Sequence, residues 1–192
     1  MFDLRIATPD AWLEVVLSNF DAFLVDHAAC ERKAFSTGMS FVSRYPDRKF
    51  LIEPMIEFAR EELDHFHQVY RIIDKRGLTL KDDYKDVYVN ALLKQCRSGK
   101  DELFVDRLLV AGIVEARSCE RLLMVAEGLK STNTELSDFY FELGRAESRH
   151  HAFFFRLARQ VFSETEVHER AGVLLDFEAD LVQRLPHRAA VH

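Results

Sequence analysis

The stretches AREELDHFHQVY (residues 59–70) and GRAESRHHAFFF (residues 144–155) carry the same device, Glu62-x-x-His65 in one and Glu147-x-x-His150 in the other. Apolar residues around both recur at helical spacing, so each pair stands three apart on one helix face. With 17 glutamates and 8 histidines in 192 positions, chance supplies about 0.7 such pairs. One pair would mean little. Two on separate long helices, each following another glutamate (Glu31, Glu115) by 31 or 32 residues, are a repeat offset by about 85 residues.

Helical periodicity extends outward from these segments over almost the whole chain. Thr8-Pro9 reads as a cap and first helical position, with Trp12, Val15 and Val16 following at helical spacing. Long helices are expected from about Asp21 to Val42, Lys49 to Arg76, Asp101 to Glu127 and Glu135 to Phe162. RYPDR (44–48), Gly77, Gly128 and KSTNT (130–134) punctuate them. A short helix over Val87–Cys96 and a final one over Glu164–Arg184 complete the set. Glycine and proline are few (7 and 4) and no stretch alternates in the manner of a strand, so the expected class is all-α. At 192 residues the chain suits a single domain, 1–192.

The helix lengths bring the glutamates into register. Glu31 lies 15 residues before Pro46 and Glu62 lies 16 after it, roughly 22–24 Å along each helix from the turn. An antiparallel hairpin sets them level. Glu115 and Glu147 stand 16 residues either side of Ser131 and repeat the coincidence. The connector of about two dozen residues between the second and third long helices is long enough to return along a bundle. The expected architecture is therefore a four-helix bundle with one long crossover and additional flanking helices. In its core, four carboxylates and two imidazoles need compensation, which two divalent cations would give. Oxygen and nitrogen donors without thiolate suit iron or manganese, and the set is similar to that of ferritin-like dimetal carboxylate proteins.

Other residues near these positions admit two readings. His27, one turn before Glu31, and His151, beside His150, could support the ligands, although satisfied or solvated histidines are commoner. Glu61 and Asp64 could orient an imidazole or be surface charge. Cys119 could face the cavity or be a small buried hydrophobe, and Tyr140 reads as core more than as a redox residue.

Composition narrows the setting. Cys30, Cys96 and Cys119 show no paired spacing and read as reduced thiols in a cytoplasmic protein. MFDLRIATPDAW carries charges where a signal peptide would be apolar, and no run is long enough to span a membrane. A net charge of −6 disfavours wholesale attraction to nucleic acid, but charge is locally segregated. Residues 75–100 hold seven basic residues (Lys75, Arg76, Lys81, Lys85, Lys94, Arg97, Lys100) against Asp82, Asp83 and Asp86. Arg32, Lys33, Arg44, Arg48 and Lys49 form a second basic group.

ESRH (147–150) resembles the Glu-x-Arg-His half-motif of bacterial multicomponent di-iron monooxygenases, with Ala146 where an aspartate often precedes the glutamate. Over nearly its whole length the chain resembles the tRNA 2-methylthio-N6-isopentenyladenosine hydroxylase family. The resemblance runs from TPDAWLEVVLSNFDAFLVDHAACERKA (8–34) through EFAREELDHFHQVY (57–70) and LLVAGIVEARSCERL (108–122) to ELGRAESRHHAFF (142–154). It implies a ferritin-like non-haem di-iron monooxygenase that hydroxylates the isopentenyl group of a tRNA adenosine beside the anticodon. Glu31, Glu62, His65, Glu115, Glu147 and His150 would then be both the metal ligands and the catalytic centre. It also implies two iron ions (Fe2+/Fe3+), O2 as co-substrate and tRNA as substrate. Because the sequence carries no flavin, haem or cysteine-cluster motif, an external electron-donor reductase is expected. The rival readings are a ferritin-like peroxidase or oxidase, or an iron-handling protein without an RNA substrate. The reductase's identity, the oligomeric state, the regiochemistry and the RNA-binding surface stay open.

Overall fold

Seven helices and no strand are found among the residues described by the computed structural model, 4–82 and 85–192. Asp83 of the connector and residues 1–3 of the N-terminal segment lie outside them. The helices are α1 (Asp10–Ser18), α2 (Phe20–Arg44), α3 (Lys49–Lys75), α4 (Val87–Leu93), α5 (Lys100–Leu129), α6 (Thr134–Ala158) and α7 (Glu164–Arg184). None of them is long and apolar enough to cross a membrane.

Local chemistry explains where most of them begin and end. Gly77, at φ +67, closes α3: its N–H reaches the Asp74 carbonyl (2.9 Å) and that of Leu78 reaches Ile73 (3.0 Å), satisfying two of the terminal carbonyls. Asp86 caps α4 through the Val89 N–H, and Asn133 caps α6 through that of Leu136. A reciprocal Ser163/Glu166 capping box opens α7. Pro54 falls in the second turn of α3, whose helix continues through it.

The chain forms two compact units. One comprises residues 18–84 with 189–191, and is built on the α2–α3 hairpin; the Val191 N–H donates to Asp26 Oδ2 at 2.6 Å. The other comprises residues 1–17, 85–188 and 192, with the α5–α6 hairpin at its centre and α7 against α4 and α5. Each hairpin packs closely at a glycine. A Cβ on Gly38 would meet Phe58 Cδ1 at 3.0 Å, and one on Gly144 would meet Leu123 Cγ at 2.8 Å.

Several expected details differ, among them the ends of α4, at Leu93 rather than Cys96, and of α6, at Ala158 rather than Phe162. Gly128 does not stop α5, which runs on to Leu129; a Cβ there would lie 3.2 Å from Leu13 and Leu17, so this glycine admits α1 rather than ending a helix. Thr8 does not act as a free cap for α1. Its hydroxyl donates to Glu120 Oε2 (2.7 Å) and its N–H to Glu120 Oε1 (2.8 Å), fastening the N-terminal segment to α5. At the C-terminal end of α6 the chain tightens into a turn after Ala158, whose carbonyl receives the N–H groups of Val161 and Phe162.

Behind α5 lies a buried polar network. Arg117 is fully buried and grips fully buried Glu178 of α7 with two parallel bonds, Nε to Oε1 (2.8 Å) and Nη2 to Oε2 (2.9 Å). Tyr88 of α4 donates to Glu178 Oε1 at 2.9 Å, while Arg117 also donates to Thr8, Glu120 and the Ile6 carbonyl. Burial, then the Glu178 charge, holds the Tyr88 phenol well above the ordinary tyrosine range, so it stays a neutral donor. This network fixes the orientation of the helix that carries Glu115.

Candidate metal centre

In the α2–α3 unit, Glu31 comes from the middle of α2 and Glu62 and His65 from successive turns of α3. All three are buried. Each offers a ligand atom within 4.8 Å of those of the others. His65 Nδ1 stands 3.7 Å from Glu31 Oε2 and 3.9 Å from Glu62 Oε2. These separations are too long for hydrogen bonds but suit two donors that each sit about 2.1 Å from one shared cation. The register inferred from hairpin length thus appears as a buried triad.

Glu31 has a further contact that decides its orientation. His27, one turn earlier and 1% exposed, places Nε2 2.6 Å from Glu31 Oε1, the imidazole N–H donating to the carboxylate. One oxygen of Glu31 is held by His27 and the other faces His65. Phe23 stacks on the His27 ring (5.9 Å between centroids, 25° between planes) and fixes that imidazole in turn.

The α5–α6 unit repeats the arrangement. Glu115 from α5 meets Glu147 and His150 from α6, all buried, with ligand atoms within 4.8 Å of one another. His150 Nδ1 lies 3.2 Å from Glu147 Oε2. The repeat is inexact: the position one turn before Glu115 is Ala111, where the other triad has His27.

The remaining candidates separate clearly. His151 Nδ1 donates to the Gly112 carbonyl at 2.7 Å and sets its ring edge-on to Phe155, so it ties α6 to α5 and is not directed at Glu147. Asp64 is exposed on α3, and Glu61 is half-buried. Burial pushes the Cys119 thiol up to about 11, with Glu147 and Glu120 adding to the rise, so it is a neutral thiol. Tyr140 is wholly buried with its ring edge-on to Phe139. Sequence reasoning ranked His27 with ordinary histidines because an imidazole one turn from a glutamate is common. The signal was its placement on the ligand-bearing side of α2.

Chemically, each triad supplies two carboxylates and one imidazole and no sulfur. That donor set fits a hard or borderline divalent ion such as Fe2+ or Mn2+ and does not favour a thiol-rich zinc site.

Comparison with known proteins agrees with this chemistry. A solved Synechococcus structure, described as protein 43 with aldehyde deformylating oxygenase activity, superposes with a TM-score of 0.90 at 34% identity, covering 97% of this chain and 92% of its own. The shared fold is all-α and ferritin-like. The tRNA 2-(methylsulfanyl)-N(6)-isopentenyladenosine(37) hydroxylase of Pseudomonas putida KT2440 is 35% identical over 94% of this chain and 86% of its own length. The protein of the same name from Salmonella typhimurium LT2 is 27% identical over 93% and 83%. A family model described as tRNA-(MS[2]IO[6]A)-hydroxylase (MiaE) matches residues 2–192, and the chain therefore belongs to that hydroxylase family.

Proposed function

We propose that this protein is an O2-dependent di-iron monooxygenase that hydroxylates the isopentenyl group of 2-methylthio-N6-isopentenyladenosine in tRNA. The observation that carries the reading is the pair of buried triads, Glu31/Glu62/His65 and Glu115/Glu147/His150, one on each hairpin of a chain in this family. The whole chain acts as one ferritin-like domain in the cytoplasm, with each hairpin contributing one triad. Four carboxylates would balance the charge of two Fe2+ ions, and the two imidazoles would complete the donor set. When bound, the irons supply the redox chemistry by which one atom of O2 enters a C–H bond and the other leaves as water, with two electrons from an external reductase and two protons.

The protein's own groups do the rest. His27 holds one oxygen of Glu31, which fixes where the other points. The contact of His151 with Gly112 locks α6 on α5 beside His150. The Arg117–Glu178 pair fixes the azimuth of α5 and hence of Glu115. Buried Phe154 and Phe155 next to His150 and His151 keep bulk water from their side of α6.

Two curated relatives named as tRNA hydroxylases favour this activity over a peroxidase or an iron-handling role. A second reading, aldehyde deformylation, is favoured by the activity in the description of the Synechococcus structure. One experiment separates the two. Iron-loaded, reduced protein is given tRNA bearing the modified adenosine, or a long-chain aldehyde, under air. Nucleoside mass spectrometry showing one added oxygen, lost in Glu115→Ala, supports tRNA hydroxylation. Formate released from the aldehyde, with tRNA unchanged, supports the second reading and overturns the first.

A further inference from the structure

Helix α6 carries its proposed ligands on one side and a row of arginines on the other. Arg145, Arg149, Arg156 and Arg159 are all exposed, and Phe141 is 49% exposed one turn before the first of them. At about 100° per residue these five side chains fall within an arc of about 80°, roughly opposite Glu147 and His150. The arginines extend about 21 Å along the helix, at 1.5 Å per residue, and bracket the level of Glu147. Between residues 143 and 163 the only acid is Glu147, which is buried. In a chain of net charge −6 this is a segregated cationic stripe.

We propose that this face of α6 binds the phosphate backbone of a single-stranded RNA loop, with Phe141 as a platform for a base. The proposal rests on the tRNA hydroxylase reading above and assigns its substrate surface. Phosphate contacts come chiefly from arginine and lysine, and unstacked bases pack on aromatic rings. Arginines one turn apart stand about 6 Å from each other, close enough to engage nearby phosphates of one strand. A nucleotide splayed from a strand held here has to reach about one helix diameter, 10–12 Å, to pass from the arginine side of α6 to its ligand side. Glu142, at 3.6 Å from Arg145, and Glu164, at 3.1 Å from Arg159, are exposed and lie near its ends. Such surface pairs are weak and are readily exchanged for phosphate.

The two basic groups expected from sequence fit less well. In the connector, Arg76 donates to Asp21 (2.8 Å) and Arg97 to Asp106 (2.7 Å), so both are engaged within the chain. In the other group, Arg44, Arg48 and Lys49 sit at the α2–α3 turn, Arg48 stacking over Tyr45 (5.9 Å). That turn lies about 20 Å along α2 from Glu31, whereas Arg145 and Arg149 flank Glu147 itself.

The test uses full-length protein carrying Arg145→Gln, Arg156→Gln and Arg159→Gln together, leaving Arg149 in place beside the proposed ligands. Binding of modified tRNA is followed by fluorescence anisotropy across a salt series, and turnover is measured on tRNA and on the free nucleoside. The expected result is a 10- to 100-fold rise in Kd and KM for tRNA, with kcat and free-nucleoside turnover unchanged. The slope of log K against log salt should fall by about 2, from three lost contacts at about 0.7 each. The matching triple lysine variant should keep the wild-type slope. An unchanged KM and slope in a wild-type background that hydroxylates tRNA overturns the assignment, as does the same loss appearing in Lys81→Gln/Lys85→Gln/Lys94→Gln instead. Wild-type protein that holds metal but neither binds nor hydroxylates tRNA overturns the tRNA reading itself, together with this surface.

Discussion

Replacing His27 by alanine should weaken metal binding at one triad and leave the other alone. The imidazole sits 2.6 Å from Glu31 Oε1 and both residues are almost fully buried. Losing the donor leaves a buried carboxylate oxygen without its hydrogen bond, at about 1–3 kcal/mol. Removing a group that orients a ligand typically lowers metal affinity about 10- to 100-fold, equivalent to about 1.4–2.7 kcal/mol. Because the corresponding position before Glu115 is already Ala111, His27→Ala makes the first triad resemble the second in this respect. Competition titration of the apoprotein with Mn2+ or Co2+ against a fluorescent chelator should show two binding steps, of which one moves by that factor. His27→Gln, which can still donate, should recover part of the loss. Both steps staying at their wild-type affinities in His27→Ala, with helical circular dichroism intact, would refute the reasoning.

Other consequences concern stability and pH. Glu178→Ala removes the bidentate partner of buried Arg117, leaving it Glu120 as carboxylate partner, and should cost about 3–5 kcal/mol in denaturant unfolding, roughly 10 °C in Tm for a chain of this size. Arg117→Met/Glu178→Leu should restore much of that, and additive losses in the double variant would contradict it. Gly144→Ala forces a Cβ to 2.8 Å from Leu123 Cγ, so a loss of about 1–3 kcal/mol is expected on thermal unfolding, partly relieved by adding Leu123→Ala. Asp106 is fully buried; burial raises its pKa, but bonds from Arg97 and Arg170 outweigh this and hold the carboxyl below the usual range. A depressed folded-state value means that its contribution is complete above the unfolded pKa of about 3.9 and is lost as pH falls through the folded value. Asp106→Asn should therefore be less stable than wild type at pH 7 by urea unfolding, with the gap narrowing as pH drops toward 3.

The sequence was most informative where a rule is local or a spacing is regular. Helical periodicity and the punctuation at residues 44–48, 77 and 130–134 located the long helices, and counting residues from each turn paired Glu31 with Glu62 and Glu115 with Glu147. Local rules failed where distant contacts prevailed. Gly128 looked like a helix end because nothing nearby in sequence reveals that Leu13 and Leu17 press on it. Thr8 looked like a cap, but Glu120, 112 residues away, takes its hydroxyl. The Arg117–Glu178 pair, 61 residues apart, carries no motif at all. His27 and His151 were equivalent as letters, and only the direction of each ring distinguishes a partner of Glu31 from a partner of a backbone carbonyl. The arginine row on α6 was visible in principle at helical spacing, but the Glu-x-x-His motif that it straddles drew the reading inward.

The most direct test of the central claim is isotopic. Protein shown to hold two irons, reduced chemically, is exposed to 18O2 with tRNA containing 2-methylthio-N6-isopentenyladenosine, and the digested nucleosides are weighed. The account predicts a product with one 18O atom in its isopentenyl group, formed by wild type and absent from Glu62→Ala and Glu147→Ala alike. Unlabelled tRNA from protein with a full iron complement, or oxygen that derives from water, would contradict it.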